Sequence, residues 1–313
     1  MIPGDNSHYI EGVSRYFWMP DGNGVPILVD TQDRADLYLA SRSGSDNQYW
    51  LYTRSNPTTA QILVNGDLNS VSSSNYVATK QLLVISHGWQ NNGNSDVNKQ
   101  IVAAALAAGD INVIVLDWNK LAGNINYFTS VSGVPEVGRY LGNFLVWLIN
   151  NAGGNWNNVH LVGHSLGAHV VGNAGRQTGG LPVRITAMDA ASPDWGSNAD
   201  KLTNSDGVYV EAIHTDGGLL GMNDAIGNAD FYPNGGKNPQ PGCMLSTCSH
   251  SRSYQLFAST VQNNRLVGKK CSSVDDANKG NNCNGSSLNM GNNVLTKRGS
   301  GIYYLTTTDT YPY

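Results

Sequence analysis

An α/β fold with a mostly parallel central sheet and helices on both faces is predicted by three features of the sequence. Apolar runs of strand length recur, Gln81-Leu-Leu-Val-Ile85, Asn112-Val-Ile-Val-Leu116, Val159-His-Leu-Val162 and Arg184-Ile-Thr-Ala-Met188, as expected of strands covered on both faces. Stretches with helical spacing separate them: Val97 to Ala108, Val134 to Ile149 and Leu166 to Ala174. The runs end at His87, Asp117, Gly163 and Asp189, which puts reactive and glycine residues at the carboxyl ends of strands, where such sheets bind ligands.

A chain of 313 residues can bury one large core. Residues 1–45, with Gly22-Asn-Gly24 and scattered Asp and Pro, predict an irregular arm packed on a domain spanning 46–313. Gln48 to Thr53, aromatic and bounded by Asn56-Pro57, predicts a strand. Pro135 marks the start of the helix that runs to Ile149, since proline is tolerated only in a first turn. Val208 to Ile213 is a strand ending at His214, Gly217 to Gly242 reads as loop, Ser251 to Gln262 as helix, and the glycine-rich tail recovers one strand at Ile302 to Thr306.

Charged residues make up only 13% and the net charge is -4 without a basic tract, which argues against nucleic acid and against strong attraction to anionic membranes. The longest apolar stretch, Asn143 to Ile149, falls far short of the roughly 20 residues that cross a bilayer, so no transmembrane segment is expected. Met1 to Asn6 has neither the basic nor the apolar region of a signal peptide. Cys243 and Cys248 stand five apart, Cys271 and Cys283 twelve apart, with no histidine pair at zinc-site spacing, and read as two local disulfides. With the glycosylation acceptor Asn284-Gly-Ser286 they point to a secreted protein.

Gly163-His-Ser-Leu-Gly167 lies between a strand and a helix and fits the G-x-S-x-G pattern, in which a serine is held up on a strained turn. That context specifies the α/β-hydrolase fold. A serine hydroxyl needs a base, and the base an orienting acid; in these sheets the chain order is serine, acid, histidine. Asp189 ends a strand after Ser165 and is the candidate acid. Only His214 and His250 follow; His250 is favoured, on a loop pinned by Cys248 just before a helix. The amides of Leu166, opening the elbow helix, and of Trp89, in the loop after an early strand, are the candidate oxyanion donors.

His87-Gly-Trp89, Gly163 to His169, Asp189, Ile213-His-Thr-Asp216, Phe231-Tyr-Pro-Asn-Gly235, Pro241-Gly-Cys243 and Cys248-Ser-His-Ser-Arg-Ser253 together resemble the pancreatic lipase family, most of all its secreted insect digestive members. The resemblance implies Ser165 as nucleophile, Asp189 as acid, His250 as base, Trp89 and Leu166 as oxyanion donors, and a structural His214. It implies no cofactor, and a secreted enzyme, for instance in a gut lumen. Vertebrate relatives carry a long lid between the two cysteines before the catalytic histidine; here only Met244-Leu-Ser-Thr247 lies there, an open cleft is expected, and within the family that accompanies phospholipase A1 or galactolipase activity. The family's C-terminal lipid-binding domain, which partners colipase, is not expected. The family's calcium site falls near Lys201 to Asp206, where Thr203 replaces an acidic ligand, so no metal is expected. Leu219, Leu220, Met222, Met244 and Leu245 are candidates for an apolar rim facing lipid. Neutral triacylglycerol lipase, and an inactive lipase-like storage or binding protein, are the alternative functions.

Overall fold

Thirteen strands form along residues 1–313 in the computed structural model: β1 (Tyr16–Pro20), β2 (Pro26–Asp30), β3 (Gln48–Tyr52), β4 (Gln61–Leu63), β5 (Leu82–Ser86), β6 (Asn112–Asp117), β7 (Val159–His164), β8 (Arg184–Met188), β9 (Val210–Ile213), β10 (Ala229–Pro233), β11 (Val267–Cys271), β12 (Ser287–Asn289) and β13 (Gly301–Leu305). Apart from the β1-β2 hairpin they make one sheet in the order β12-β11-β13-β10-β9-β8-β7-β5-β6-β3-β4. From β13 to β6 every pairing is parallel; β3 with β4 at one edge and β11 with β12 at the other run antiparallel.

The strand alternation decides which core each residue enters. Leu82, Val84 and Leu161 join Phe144, Leu145 and Val170 on one face, while Leu83, Ile85 and Val162 join Ile101, Leu256 and Phe257 on the other. Helices α1 (Asp96–Ala108) and α4 (Ser246–Asn263) cover the second face, α2 (Tyr127–Ala152) and α3 (Leu166–Gln177) the first. The fold is α/β, and no helix is long and apolar enough to cross a membrane.

Several boundaries differ from expectation for physical reasons. Helix α2 starts at Tyr127 rather than Val134, capped by the Asn126 side chain, which accepts from the amides of Phe128 and Thr129; burial of Tyr127 and Val131 outweighs the interior Pro135. The arm is not irregular: Phe17 and Met19 alternate inward along β1 and are buried. Strand β10 lies inside the stretch read as loop, its Pro233 and Asp230 masking a run that pairs with β9 and β13. The tail adds β11 and β12 to the single strand expected there.

Candidate active site

Ser165 occupies the turn from β7 into α3 at φ 57° and ψ -123°, a region that a residue with a Cβ enters only under constraint. The constraint is crowding. A Cβ on Gly163 would collide with the Gly167 carbonyl, and one on Gly167 with the Ser86 carbonyl of β5, so both pattern glycines are dictated by close backbone approach. The Ser165 carbonyl accepts from Ala168 and Ala191, which fixes the turn.

Asp189 follows β8 and is fully buried. Its Oδ1 accepts from the amides of Thr215 (2.8 Å) and Asp216 (3.1 Å), and its Oδ2 accepts a hydrogen bond from His250 Nδ1 at 2.6 Å. His250 sits inside α4, not on a loop, because the helix begins at Ser246; the Cys243–Cys248 disulfide pins its first turn. With Nδ1 donating, Nε2 is the free acceptor. Both His250 Nε2 and Ser165 Oγ are buried and have no hydrogen-bond partner, and both residues line one cleft. Buried polar atoms left so are rare, and these two are chemically matched.

The flanking histidines have separate duties. His164 Nε2 donates to the His250 carbonyl (3.2 Å) with its ring centroid 4.7 Å from that of His250, and burial, reinforced by a charge on His250, pushes its pKa well below the usual histidine range. It therefore stays a neutral donor. His169 is held neutral by burial, its pKa pushed down to about 3, between the Ala191 carbonyl and the Leu202 amide. His214 faces acceptors at both nitrogens, Met222 O (2.7 Å) and Asp230 Oδ1 (2.8 Å), so it is satisfied only as an imidazolium. Burial opposes that charge, but the Asp230 hydrogen bond and carboxylate raise its pKa on balance. His214 is thus a structural cation that does not line the serine cleft.

Trp89 is buried beside Ser165, its indole donating to the Asn124 carbonyl (2.8 Å), while its amide has no partner within the protein. His87 stacks on Trp118, whose indole donates to the His87 carbonyl (2.9 Å), and this braces the loop. Leu166 opens α3 directly after Ser165 and is buried.

Asp216 was not among the expected site residues, although it ends the strand-terminal run Ile213-His-Thr-Asp216. Its Oδ2 accepts from Ser246 (2.6 Å) and the Leu220 amide (3.0 Å). Burial, then the Asp189 charge, pushes its pKa well above the carboxylate range. Asp189, Asp216 and His250 offer donor atoms within 4.8 Å of one another; both Asp189 oxygens, Asp216 Oδ2 and His250 Nδ1 are engaged in hydrogen bonds, whereas Asp216 Oδ1 and His250 Nε2 have no partner.

The expected rim is corrected in part. Leu220 and Met222 are buried in the core, drawn in by the Leu220 bond to Asp216 and the Met222 amide bond to the Ala190 carbonyl. Leu219 and Leu245 are partly exposed, and Met244 is 91% exposed. The cleft is not open either: Pro20, Asp21 and Gly22 of the arm wall it, leaving about 10 Å³ for water above the serine. A roomier hollow of about 230 Å³, lined by Tyr52, Asn94 and Val102, contains no nucleophile paired with a base.

A family model described as Lipase matches residues 24–313, essentially all of this architecture and every residue of the cleft but Pro20, Asp21 and Gly22. The chain belongs to the pancreatic lipase family. It is 37% identical to Lipase member H of Danio rerio over 74% of this chain and 52% of that protein, and 33% identical to Pancreatic lipase-related protein 2 of Bos taurus over 78% and 58%. Pancreatic triacylglycerol lipase of Myocastor coypus is 32% identical over 78% of this chain and 58% of its own. The chain spans about half the length of these relatives. Among solved structures, an acetyl xylan esterase from Aspergillus awamori is a partial likeness, with a TM-score of 0.37 at 12% identity over 56% of this chain and 70% of that one.

The segment Lys201 to Asp206, where the resemblance places a calcium site, is taken up by a guanidinium. Arg176 fills it: Nε and Nη2 each meet an Asp206 oxygen at 3.2 Å, Nη2 also meets the Lys201 carbonyl (2.9 Å), and Nη1 the Asn173 side chain (3.4 Å). A guanidinium fork satisfies the oxygens a divalent ion would need. Chelator should therefore leave the thermal midpoint unmoved, whereas Arg176→Ala, which strands the buried Asp206, should cost roughly 1–3 kcal/mol. A calcium-dependent rise in the wild-type midpoint would contradict this.

Proposed function

We propose that the chain is a secreted lipid ester hydrolase that works through a serine acyl-enzyme, with phospholipid (at the A1 position) or galactolipid as its substrate. The reading is carried by one observation: the Ser165 hydroxyl and the His250 Nε2, both buried and both without partners, share a cleft, and the other face of His250 is fixed to Asp189. Ser165 attacks the ester carbonyl while Nε2 takes its proton; Asp189 holds the tautomer and stabilises the imidazolium. The amides of Trp89 and Leu166 receive the charge that develops on the carbonyl oxygen. His250 returns the proton to the leaving alkoxide, and water repeats the cycle on the acyl-enzyme. The core hydrolase unit in this reading is 46–313, with 1–45 as its arm.

Polar lipids are favoured by the polar wall supplied by Asn91, Ser251 and Tyr254. No lysine or arginine lines the cleft, so an uncharged sugar headgroup is better matched than a phosphate. The disulfides Cys243–Cys248 and Cys271–Cys283 suit an extracellular compartment, and no colipase is needed in this reading. Triacylglycerol lipase is the second reading, supported by the 32% identity to a protein named for that activity. Fatty-acid release from galactolipid, phosphatidylcholine and triacylglycerol, run side by side with a Ser165→Ala control, separates them. Galactolipid or phosphatidylcholine should lead; dominant triacylglycerol cleavage moves the assignment to the second reading, and fluorophosphonate labelling that survives Ser165→Ala removes both.

A further inference from the structure

The cleft over Ser165 is closed by chain far from it in sequence. Pro20, Asp21 and Gly22, at the tip of the β1-β2 hairpin, form its outer wall, and the remaining space holds about one water, too little for an acyl chain. The base of this hairpin is firmly held. Phe17 and Met19 are buried, and Asn6 brackets Trp18, accepting from its amide (2.7 Å) and donating to its carbonyl (2.8 Å). Asn6 also donates to Ser246 (3.0 Å), which bonds Asp216 beside the Asp189–His250 pair. The tip is held by much less: the Gly22 amide donates to the Gln90 carbonyl (3.2 Å) and the Asp96 amide to the Gly22 carbonyl (3.1 Å). Gln90 directly follows Trp89, so the latch sits on the loop that carries the unpartnered amide.

The same arm carries an unusual share of exposed apolar surface. Residues 1–40 are about an eighth of the chain yet supply nine of its twenty-one exposed large apolar side chains. Val25 is at the tip, 56% exposed, and Ile125, 84% exposed, follows Asn124, whose carbonyl takes the Trp89 indole and the Gln90 side chain. Leu37 and Tyr38 adjoin them: Asn126 bonds the Arg34 carbonyl, and the Asp36 amide bonds Thr129. Residues 1–40 contain six acidic and two basic residues, a net charge of -4 that equals that of the whole chain. An anionic membrane would repel this face.

We propose that the N-terminal arm docks on an uncharged or zwitterionic lipid surface, and that the hairpin tip is the cover which this contact lifts from Ser165. The proposal rests on the reading of the chain as a lipid ester hydrolase and names the surface on which it works. Insertion of Val25 and its neighbours into lipid has to outweigh two backbone hydrogen bonds and the packing of Pro20 and of Gly22 against Ser95 and Asn91 before the cleft opens.

The test measures the rate of fluorophosphonate labelling of the full chain with and without vesicles, together with vesicle co-sedimentation. Phosphatidylcholine vesicles should bind the protein and speed labelling roughly tenfold or more, and phosphatidylglycerol vesicles should do neither. In Gly22→Ala the new Cβ would lie 2.8 Å from the Ser95 Cβ, so the tip cannot seat and labelling should be fast without lipid. If that variant fails to fold, Val25→Asp with Ile125→Asp decides: its binding to phosphatidylcholine should fall roughly tenfold or more, and with it the acceleration by vesicles. Labelling that is independent of vesicles, or equal binding to both lipids, overturns the proposal alone. Vesicle binding with no labelling under any condition overturns the hydrolase reading beneath it.

Discussion

Ser165→Ala and His250→Ala should each lower turnover of a soluble short-chain ester by at least about 10⁴-fold, and the double variant should fall no further. The reason is that the two residues form one device. The hydroxyl is inert without a base, and the base has nothing to deprotonate without the hydroxyl; Ser165 Oγ and His250 Nε2 have no other partner in the protein. Asp189→Asn should lose less than the factor of about 10⁴ expected where a single carboxylate orients the histidine. Burial first, and then the Asp189 charge, hold the Asp216 pKa well above the carboxylate range, and removing that charge lowers it, which favours a second carboxylate close to the imidazole. Ester turnover, with circular dichroism to confirm folding, checks all four variants. A His250→Ala enzyme within about tenfold of wild type would show that another base serves the serine.

The central sheet was legible because its strands are buried on both faces and read as uninterrupted apolar runs, while Gly163 to Gly167 dates the nucleophile turn by sterics alone. Elements whose partners are distant in sequence were not legible. Strand β10 contains Asp230 and Pro233 and is a strand only because β9 and β13 flank it. Helix α2 hides its start because Pro135 resembles a first-turn proline, whereas the actual cap is Asn126. Ser165, Asp189 and His250 could be chosen as candidates from strand ends and chain order, with His214 as the rival base. Asn6, Pro20 and Gly22 could not, since nothing local to the arm indicates that it folds back over residues far downstream. Asp216 lay in between, marked as a strand end but without a sign that it would share a buried site with another carboxylate.

Glu211→Gln should cost roughly 3–5 kcal/mol of stability, because it leaves two buried cations without their common carboxylate. Arg184 and Glu211 are fully buried on neighbouring strands β8 and β9, and Lys297 is 7% exposed by side chain. Glu211 Oε2 takes Lys297 Nζ at 2.6 Å and the Tyr209 hydroxyl at 2.7 Å, while Oε1 takes the Gly291 amide at 2.6 Å and lies 3.5 Å from Arg184. The cluster ties the segment 291–297 to the sheet at the opposite ends of the strands from the serine, so unfolding should respond strongly and turnover little. The pH dependence has a definite sign. Burial, against the pull of Glu211, lowers the Lys297 pKa from 10.5 to about 8. Between those values the unfolded chain binds more protons than the native one, so this lysine makes wild-type stability rise with pH across that window. As Lys297 discharges it also gives up its attraction to Glu211, and the deficit of Glu211→Gln should therefore be largest near neutrality and shrink towards about pH 10. Urea unfolding of both proteins at the two pH values reads this difference; a deficit that stays constant, or grows, would mean that Lys297 is not charged against Glu211 in the native fold.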